Sequence, residues 1–472
     1  MRWHSSRSYG ELAQLNLDNE PILSSSFSWP YYSRRIRRHL PRPPTMFGLA
    51  RFLTLRRLLV VVSCLCFSIV AAILCSGIPS NFHRIRDAEN QLPQHSALVP
   101  GRKYLRFPGY LWGHGFNNVF QEHIVMAYLA YEANRSFVFE DYVWSHIPFP
   151  YTLYDFALRP TRMPLNAFIS GASAGGPMEG REAVSATFWE EVCPPQRRHT
   201  LSPREAPKDA DGSSVIRWWT EKLSDSREAC LQIGSSNDVQ ALFDRFFFGG
   251  FRFLSLWPEL SSSPILTRFA WSTLVQSAVA RNRVLLDHGI PLETSNSSAI
   301  STVFGLVALH IRQGDYKRHC PFLAQEGAMY MGINQLPSLP DKFDPSLFAK
   351  DDSKRKAYYL EHCLPTVKQI VLRMRAVRRD SPHLRRVYVL TNAWGWWVSR
   401  LARALRLDGW EDVKSSLDLE LDAEERHIAV AVDMSIAEKA DVFVGNGFSS
   451  LTSNVVMLRM AKGLNVTSNR FL

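Results

Sequence analysis

The chain has 472 residues, 46% of them hydrophobic, and a formal net charge of +11. That length and apolar content suffice for two or three domains with real cores. The charge does not mark a nucleic-acid binder: ten arginines against three acids put +7 on residues 1–57, leaving +4 for all the rest.

Residues 1–57 show few periodic apolar positions and read as an unstructured tail, with Trp29, Tyr31 and Tyr32 as aromatics of the kind found in sorting signals. Leu58 to Ile78 is 21 residues without a charge, the length that spans a bilayer core. Arginines crowd its N-terminal side, so the positive-inside rule puts residues 1–57 in the cytosol and the remainder in the secretory lumen. A cleaved signal peptide is the weaker reading, because the apolar run is long and lies nearly sixty residues in. A single-pass type II protein of the Golgi or endoplasmic reticulum is therefore expected, with the bilayer as one partner and no nucleic acid. Residues 79–100 read as a stem, with the folded region starting near Arg102. Cys193, Cys230, Cys320 and Cys363 then lie in an oxidising compartment and predict two disulfides, with three possible connectivities. The sequons are Asn134-Arg-Ser, Asn296-Ser-Ser and Asn465-Val-Thr. Asn296 and Asn465 are the candidate glycan carriers, because Asn134 falls between a helix and a strand.

Tyr104 to Trp112 reads as a strand, followed by the loop Gly113 to Asn118, a helix with apolar positions from Val119 to Tyr131, and the strand Ser136 to Phe139. Trp144 to Ser301 carries glycine- and proline-rich loops and helical stretches at 238–248 and 266–286; it reads as the remainder of a first α/β domain with insertions, 101–300. A second domain, 301–472, opens on the β-branched run Val303 to Ile311. After it come a proline- and lysine-rich loop from Leu336 to Arg355 that reads as mobile, one long helix from Lys356 to Val377, a strand from Arg386 to Asn392, a helix from Trp397 to Leu405, a helix from Ile428 to Lys439, a strand from Asp441 to Val444 and a helix from Leu451 to Ala461. Alternating strands and helices mean parallel sheets with right-handed crossovers.

Three polar segments follow apolar strands: Gly113 to Asn118, His310 to Tyr316 and Gly445 to Ser450. Ligands of open α/β sheets bind beyond the carboxyl ends of strands. Arginine's planar fork matches phosphate oxygens, and a helix N-terminus favours an anion. The plain alternatives are a surface ion pair between Arg312 and Asp315, and helix caps at Asp433, Ser449 or Ser450. Together the three loops favour a nucleotide-sugar cleft.

These segments resemble the GDP-fucose protein O-fucosyltransferases and the wider GDP-fucose-using group of GT-B glycosyltransferases. Gly115-Phe116-Asn117-Asn118 with Asn134-Arg135-Ser136 resembles the family's first motif, and His310-Ile311-Arg312-Gln313-Gly314-Asp315 its His-x-Arg-x-x-Asp motif. Asp433, Ala440 to Asn446 and Ser449-Ser450 resemble its C-terminal motif. The resemblance covers residues 105–140 and 305–460 and implies a divergent member: an α/β GT-B fold of two facing Rossmann-like domains, with GDP-fucose as donor, a protein Ser/Thr hydroxyl as acceptor, inversion at the anomeric carbon, and no cofactor or metal. It implies Gly115, Phe116, Asn117, His310, Arg312, Asp315, Asp433, Ser449 and Ser450 as donor-binding residues, with Arg312 neutralising the β-phosphate and Asp315 orienting Arg312. His114 is the candidate base, or an acceptor-binding residue. No Asp-x-Asp of the kind that anchors Mn²⁺ to a diphosphate is read in the body. The alternatives left open are a nucleotide-sugar transferase acting on a glycan, and an inactive luminal scaffold on the same fold.

Overall fold

The computed structural model describes residues 55–75, 77–95, 101–108, 115–154, 157–207, 209–234, 242–243, 245–286 and 302–472. Most of the tail, His114 and Asn296 therefore lie outside the described residues. The chain divides into two compact units, Met1–Phe67 and Ser68–Leu472.

Helix α1, Leu55–Cys75, is long and apolar enough to cross a membrane. It starts three residues before the uncharged run and takes Arg56 and Arg57 into its first turn. The folded body begins well before Arg102. Phe82 is buried at the head of α2, His83–Asn90, and the Ser80 hydroxyl donates to Glu424. Residues read as a stem thus pack on the body.

The first parallel sheet is built from β1 (Tyr104–Arg106), β2 (Ser136–Phe139), β3 (Val184–Ser185), β4 (Arg198–Leu201) and β5 (Cys230–Ile233), in the order β3-β2-β1-β5-β4. Helix α3, Phe116–Glu132, links β1 to β2 and is buried on almost every side, with Gln121, Glu122 and His123 among its buried residues. Helix α4, Gly212–Asp225, precedes β5. The insertions fold as three antiparallel strand pairs, among them Ile169–Gly171 with Phe269–Trp271. The helical stretch expected at 266–286 is interrupted by that last strand and resumes as α5, Thr273–Arg281.

The second sheet contains β6 (Val303–Ile311), β7 (Arg386–Thr391), β8 (Asp412–Ser415), β9 (Ala440–Gly445) and β10 (Asn469–Phe471), in the parallel order β8-β7-β6-β9-β10. Its helices are α6 (Tyr316–Glu326), α7 (Asp352–Cys363), α8 (Val367–Asp380), α9 (Gly395–Leu407), α10 (Ala429–Lys439) and α11 (Ser450–Ala461). The single helix expected from Lys356 to Val377 is two. Pro365 cannot continue α7, and Thr366 opens α8 with a reciprocal capping box to Gln369. Leu336 to Arg355 is not a loose loop. Leu339 and Phe343 are buried, and Asp341 accepts from Arg470 and pairs with Arg373.

Both sheets put their first strand at the centre, and the order reverses beside it. Between β6 and β9 lies the point where successive crossovers leave in opposite directions, the place where open α/β sheets hold ligands. One large apolar cluster includes Val119, Phe120 and Ile124 of α3 together with Val455, Met457 and Leu458 of α11, so the two sheets share a core. The expected disulfides join Cys193 to Cys230 and Cys320 to Cys363. The first ties the helical turn after β3 to β5, and the second ties α6 to α7.

Two buried arginines act as internal ties. Arg135 donates to the carbonyls of Leu223, Ser226 and Glu228 at the end of α4. Arg459 of α11, fully buried, donates to the carbonyls of Ala437, Glu438, Ala440 and Asp441 and to Asn469 and Ser468. Each satisfies carbonyls that a helix end leaves without partners.

Candidate active site

The site forms where β6 and β9 end. His310, the penultimate residue of β6, is buried, and its Nδ1 lies 2.8 Å from Thr452 Oγ1 on α11. Burial, aided by the nearby Arg312 charge, lowers its pKa to about 3, so the ring is neutral at any working pH. As a neutral ring it ties β6 to α11 through this contact.

Arg312 comes one residue after the strand. Its Nη2 donates to Asp315 Oδ2 at 2.6 Å, and its guanidinium carbon lies 5.0 Å from the centre of the Tyr316 ring. Its Nε is buried without a partner among the described residues. The loop turns at Gly314, whose φ of +54° is costly for any residue with a Cβ. Asn392, just past the end of β7, accepts from the Gln313 N–H at 2.9 Å and donates to Asp315 Oδ1 at 2.9 Å. The surface ion pair foreseen as the plain alternative is thus present, but it uses only part of the guanidinium.

The loop after β9 meets this motif directly. The Tyr316 hydroxyl reaches the Phe448 carbonyl at 3.4 Å and hydrogen-bonds the Ser449 side chain. The Gly447 carbonyl accepts from Met331 N–H (2.8 Å) and Asn334 Nδ2 (2.9 Å). Its Cα lies so close to Tyr330 that a Cβ would fall 2.5 Å from the ring, which only glycine avoids. Tyr330, Met331 and Asn334 therefore brace the Gly445 to Ser450 turn, and Phe343, from the stretch read as a mobile loop, packs edge-on against Phe448. Ser449 stands at the N-cap position of α11, yet its side chain makes no capping bond. Ser450, partly exposed, opens the first turn. The cap reading accounts for neither hydroxyl, and the free N–H groups of a twelve-residue helix end here.

Asp433 is not a cap either. It lies inside α10, accepting from the Tyr388 hydroxyl (2.6 Å) and the Ser416 hydroxyl (2.9 Å). It is densely surrounded but keeps some surface open, as a carboxylate at the bottom of a depression does. Burial raises its pKa to about 6, against the lowering effect of the two hydroxyl donors. Tyr388 sits opposite Ala308 in the register, two residues before His310, which puts Asp433 on the same sheet face as His310.

The first-half loop contributes less than expected. Gly115 is exposed at the N-cap of α3, but the Phe116 ring stacks on Phe168 with centroids 4.3 Å apart and belongs to the core. As a donor contact its side chain is corrected; an apolar residue in a glycine loop gives no sign of which way it turns. Asn117 is engaged across the halves: Asn454 Nδ2 of α11 donates to its carbonyl (2.9 Å) and its Oδ1 (3.0 Å). Helix α11 thus touches all three polar segments, through Ser449 and Ser450, Thr452 and Asn454. Thr452, Asn454, Tyr388, Ser416 and Asn392 were not singled out in the sequence. Their roles depend on strand register and helix phase, and only the Thr-Ser-Asn run inside an apolar helix carried a signal.

Among the described residues no group of three or more His, Cys, Asp or Glu is placed to hold a metal ion. The sequence does contain one Asp-x-Asp, Asp209-Ala210-Asp211, against the expectation of none. Asp211 caps α4 through Ser214 N–H and also accepts from Ser255, so it is a structural carboxylate of the first half. Asn465 is exposed, and its Oδ1 accepts from Thr467 N–H and Oγ1. Asn134 is also exposed, with a positive φ of +54°, next to the buried Arg135.

Residues 275–462 match the family model of GDP-fucose protein O-fucosyltransferase. The matched segment lies in the second half of the chain and carries the likeness to that family. This likeness supports a glycosyltransferase, and the matched segment holds β6 to β9, Arg312, Asp433 and the serines at the start of α11. No curated protein matches the chain by sequence. Among solved structures, POFUT1 in complex with GDP-fucose is similar at 14% identity and TM-score 0.47, over 80% of this chain and 99% of that one. NodZ alpha-1,6-fucosyltransferase soaked with GDP-fucose is similar at 12% identity and TM-score 0.38, over 76% and 92%. An Arabidopsis thaliana FUT1 mutant in complex with GDP is similar at 10% and 0.35, over 81% and 74%. At these values no residue role is carried over from them.

Proposed function

We propose that this fucosyltransferase moves fucose from GDP-fucose to a Ser or Thr hydroxyl of a protein, with inversion at the anomeric carbon. In this reading the two sheets are the halves of a GT-B enzyme, with the cleft along the carboxyl ends of β6 and β9. Helix α1 anchors the chain, the tail is cytosolic and the body is in the lumen of the Golgi or endoplasmic reticulum. Asp433 accepts hydrogen bonds from the guanine edge or the ribose. Ser449, Ser450 and the first N–H groups of α11 receive phosphate oxygens. The acceptor oxygen attacks the anomeric carbon from the face opposite the diphosphate, its proton passing to a base. As the bond from that carbon to the β-phosphate oxygen breaks, negative charge builds on GDP, and Arg312 stabilises it in place. Such preorganised charge is often the largest single contribution to catalysis. No metal is needed in this reading, because the guanidinium and the helix N-terminus supply the positive field. His114 is proposed as the base.

The observation that carries this reading is a cation with unspent donor capacity at the switch point, beside an uncapped helix N-terminus. The test is to incubate the full-length protein in detergent with labelled GDP-fucose, EDTA and a secreted-protein extract. Alkali-labile label on protein is expected, as for a fucose linked through Ser or Thr oxygen. Label confined to enzymatically released N-glycans would move the acceptor to a glycan. The absence of both transfer and GDP binding would leave only a scaffold.

A further inference from the structure

Arg312 has a carboxylate beside it, and that is a problem for a phosphate-binding arginine. Free to rotate, Asp315 would take the guanidinium side-on through two oxygens, the geometry arginine and carboxylate favour most. A guanidinium chelated in that way has much of its charge and its directional donors spent before a phosphate arrives. The structure shows a single bond instead: Nη2 to Oδ2, with Nε left unpartnered. The reason is visible in the other carboxylate oxygen. Asp315 Oδ1 is occupied by Asn392 Nδ2 at 2.9 Å. Asn392 cannot swing with it, because its own Oδ1 is held by the Gln313 N–H at 2.9 Å. The amide therefore bridges the loop after β6 to the end of β7 through both of its polar atoms. An amide suits this position because it presents a donor and an acceptor at once; a carboxylate has no donor and a hydroxyl is too short to span both partners.

We propose that Asn392 is a positioning residue that keeps Asp315 singly bonded to Arg312, so that the rest of the guanidinium stays available to the β-phosphate of a nucleoside diphosphate. This rests on the donor-site reading above, and its test separates the two. Calorimetry with GDP and with GMP, on the full-length protein, reads the β-phosphate contribution as the ratio of the two affinities and needs no acceptor. In Asn392→Ala the released Asp315 closes on Arg312. GDP affinity is expected to fall on the order of tenfold, as for loss of a charge-assisted hydrogen bond, while GMP affinity stays within about twofold, inside the usual non-additivity of distant sites. Asn392→Asp retains the size and the acceptor to Gln313, so it guards against a folding defect; it adds a second negative charge beside Asp315 and is expected to lower the GDP to GMP ratio further. In an Asp315→Asn background there is no carboxylate to close, and Asn392→Ala should then leave the ratio unchanged.

A parallel fall in GDP and GMP affinity would make Asn392 merely structural and overturn the proposal. So would an unchanged ratio in both single variants, or a loss that persists undiminished in the Asp315→Asn background. A wild-type protein that binds neither nucleotide would overturn the donor reading itself, and this inference with it.

Discussion

Each sheet has an arginine at or just past the end of its central strand, and the two have different fates. Arg106, the last residue of β1, is held by Glu140 at 2.7 Å and Glu190 at 2.8 Å. Arg312, one residue past β6, has one carboxylate, through one nitrogen. The same residue type at equivalent points of similar topologies is spent on scaffold in one half and left open in the other. In the proposed reading, a functional cation is marked by donor capacity that the protein leaves unused, next to a helix N-terminus that lacks a side-chain cap. Arginine at a strand end is not enough.

The contrast can be broken most directly at Arg312. Arg312→Lys is expected to lower transfer on the order of 10²-fold or more, the usual cost of losing one preorganised donor in a transition state, with the thermal melt unchanged. A folded variant with near-normal turnover would put Arg312 on the same footing as Arg106. Next in size is Asp433. Its pKa of about 6 lies above that of an unfolded aspartate, so the folded state holds the extra proton between the two values. The carboxylate form is the one proposed to bind the nucleoside. GDP affinity should therefore be level above about pH 7 and fall roughly tenfold per unit well below pH 6, as for one required ionisation. In Asp433→Asn that slope should vanish. The sign for stability is opposite: as pH rises from the unfolded value through about 6, the buried group must ionise and stability declines. Titration calorimetry and melts across about pH 4 to 8 check both.

A smaller effect is expected at Asn454, which holds the Asn117 loop to α11. Asn454→Ala removes two neutral hydrogen bonds and should cost about 1–2 kcal/mol in denaturant unfolding. If α11 sets the first-half loop against the donor site, the apparent KM for protein acceptor should rise more than that for GDP-fucose; equal changes would make the bond purely structural. Least of all, Arg106→Lys should shift stability by less than about 1 kcal/mol, because its partners are partly exposed, and leave GDP affinity unchanged. A large loss of GDP binding there would erase the distinction between the two strand ends.

The legibility of the two halves differs for the same physical reason. β6 and β9 are central strands covered on both faces, so they are written as continuous apolar runs with abrupt polar ends, and Val303–Ile311 was delimited to the residue. The strands of the first sheet are two to four residues long, and β1 stops at Arg106 where a run to Trp112 was expected. The cap alternative at Asp433 fails because the helix draws on Ala429 to Val432 upstream, within the expected Ile428 to Lys439 helix. The Leu336 to Arg355 segment was misread because proline and lysine signal a loop but not whether its Leu339 and Phe343 find a core. Asn392 carries no local signal at all. Its meaning arises only when β6 and β7 are laid side by side.

The apolar cluster that runs from α3 into α11 bears on how this enzyme can be handled and altered. A cut near residue 300 would leave Val455, Met457 and Leu458 on one fragment and Val119, Phe120 and Ile124 on the other, each facing water. Neither piece is expected to stay monomeric, because such a surface is an aggregation site. Grafting a foreign first half onto this second half therefore means repacking one continuous interior, and new acceptor preferences are more accessible through the antiparallel pair of Tyr151–Tyr154 with Ala157–Pro160, which lies outside that cluster.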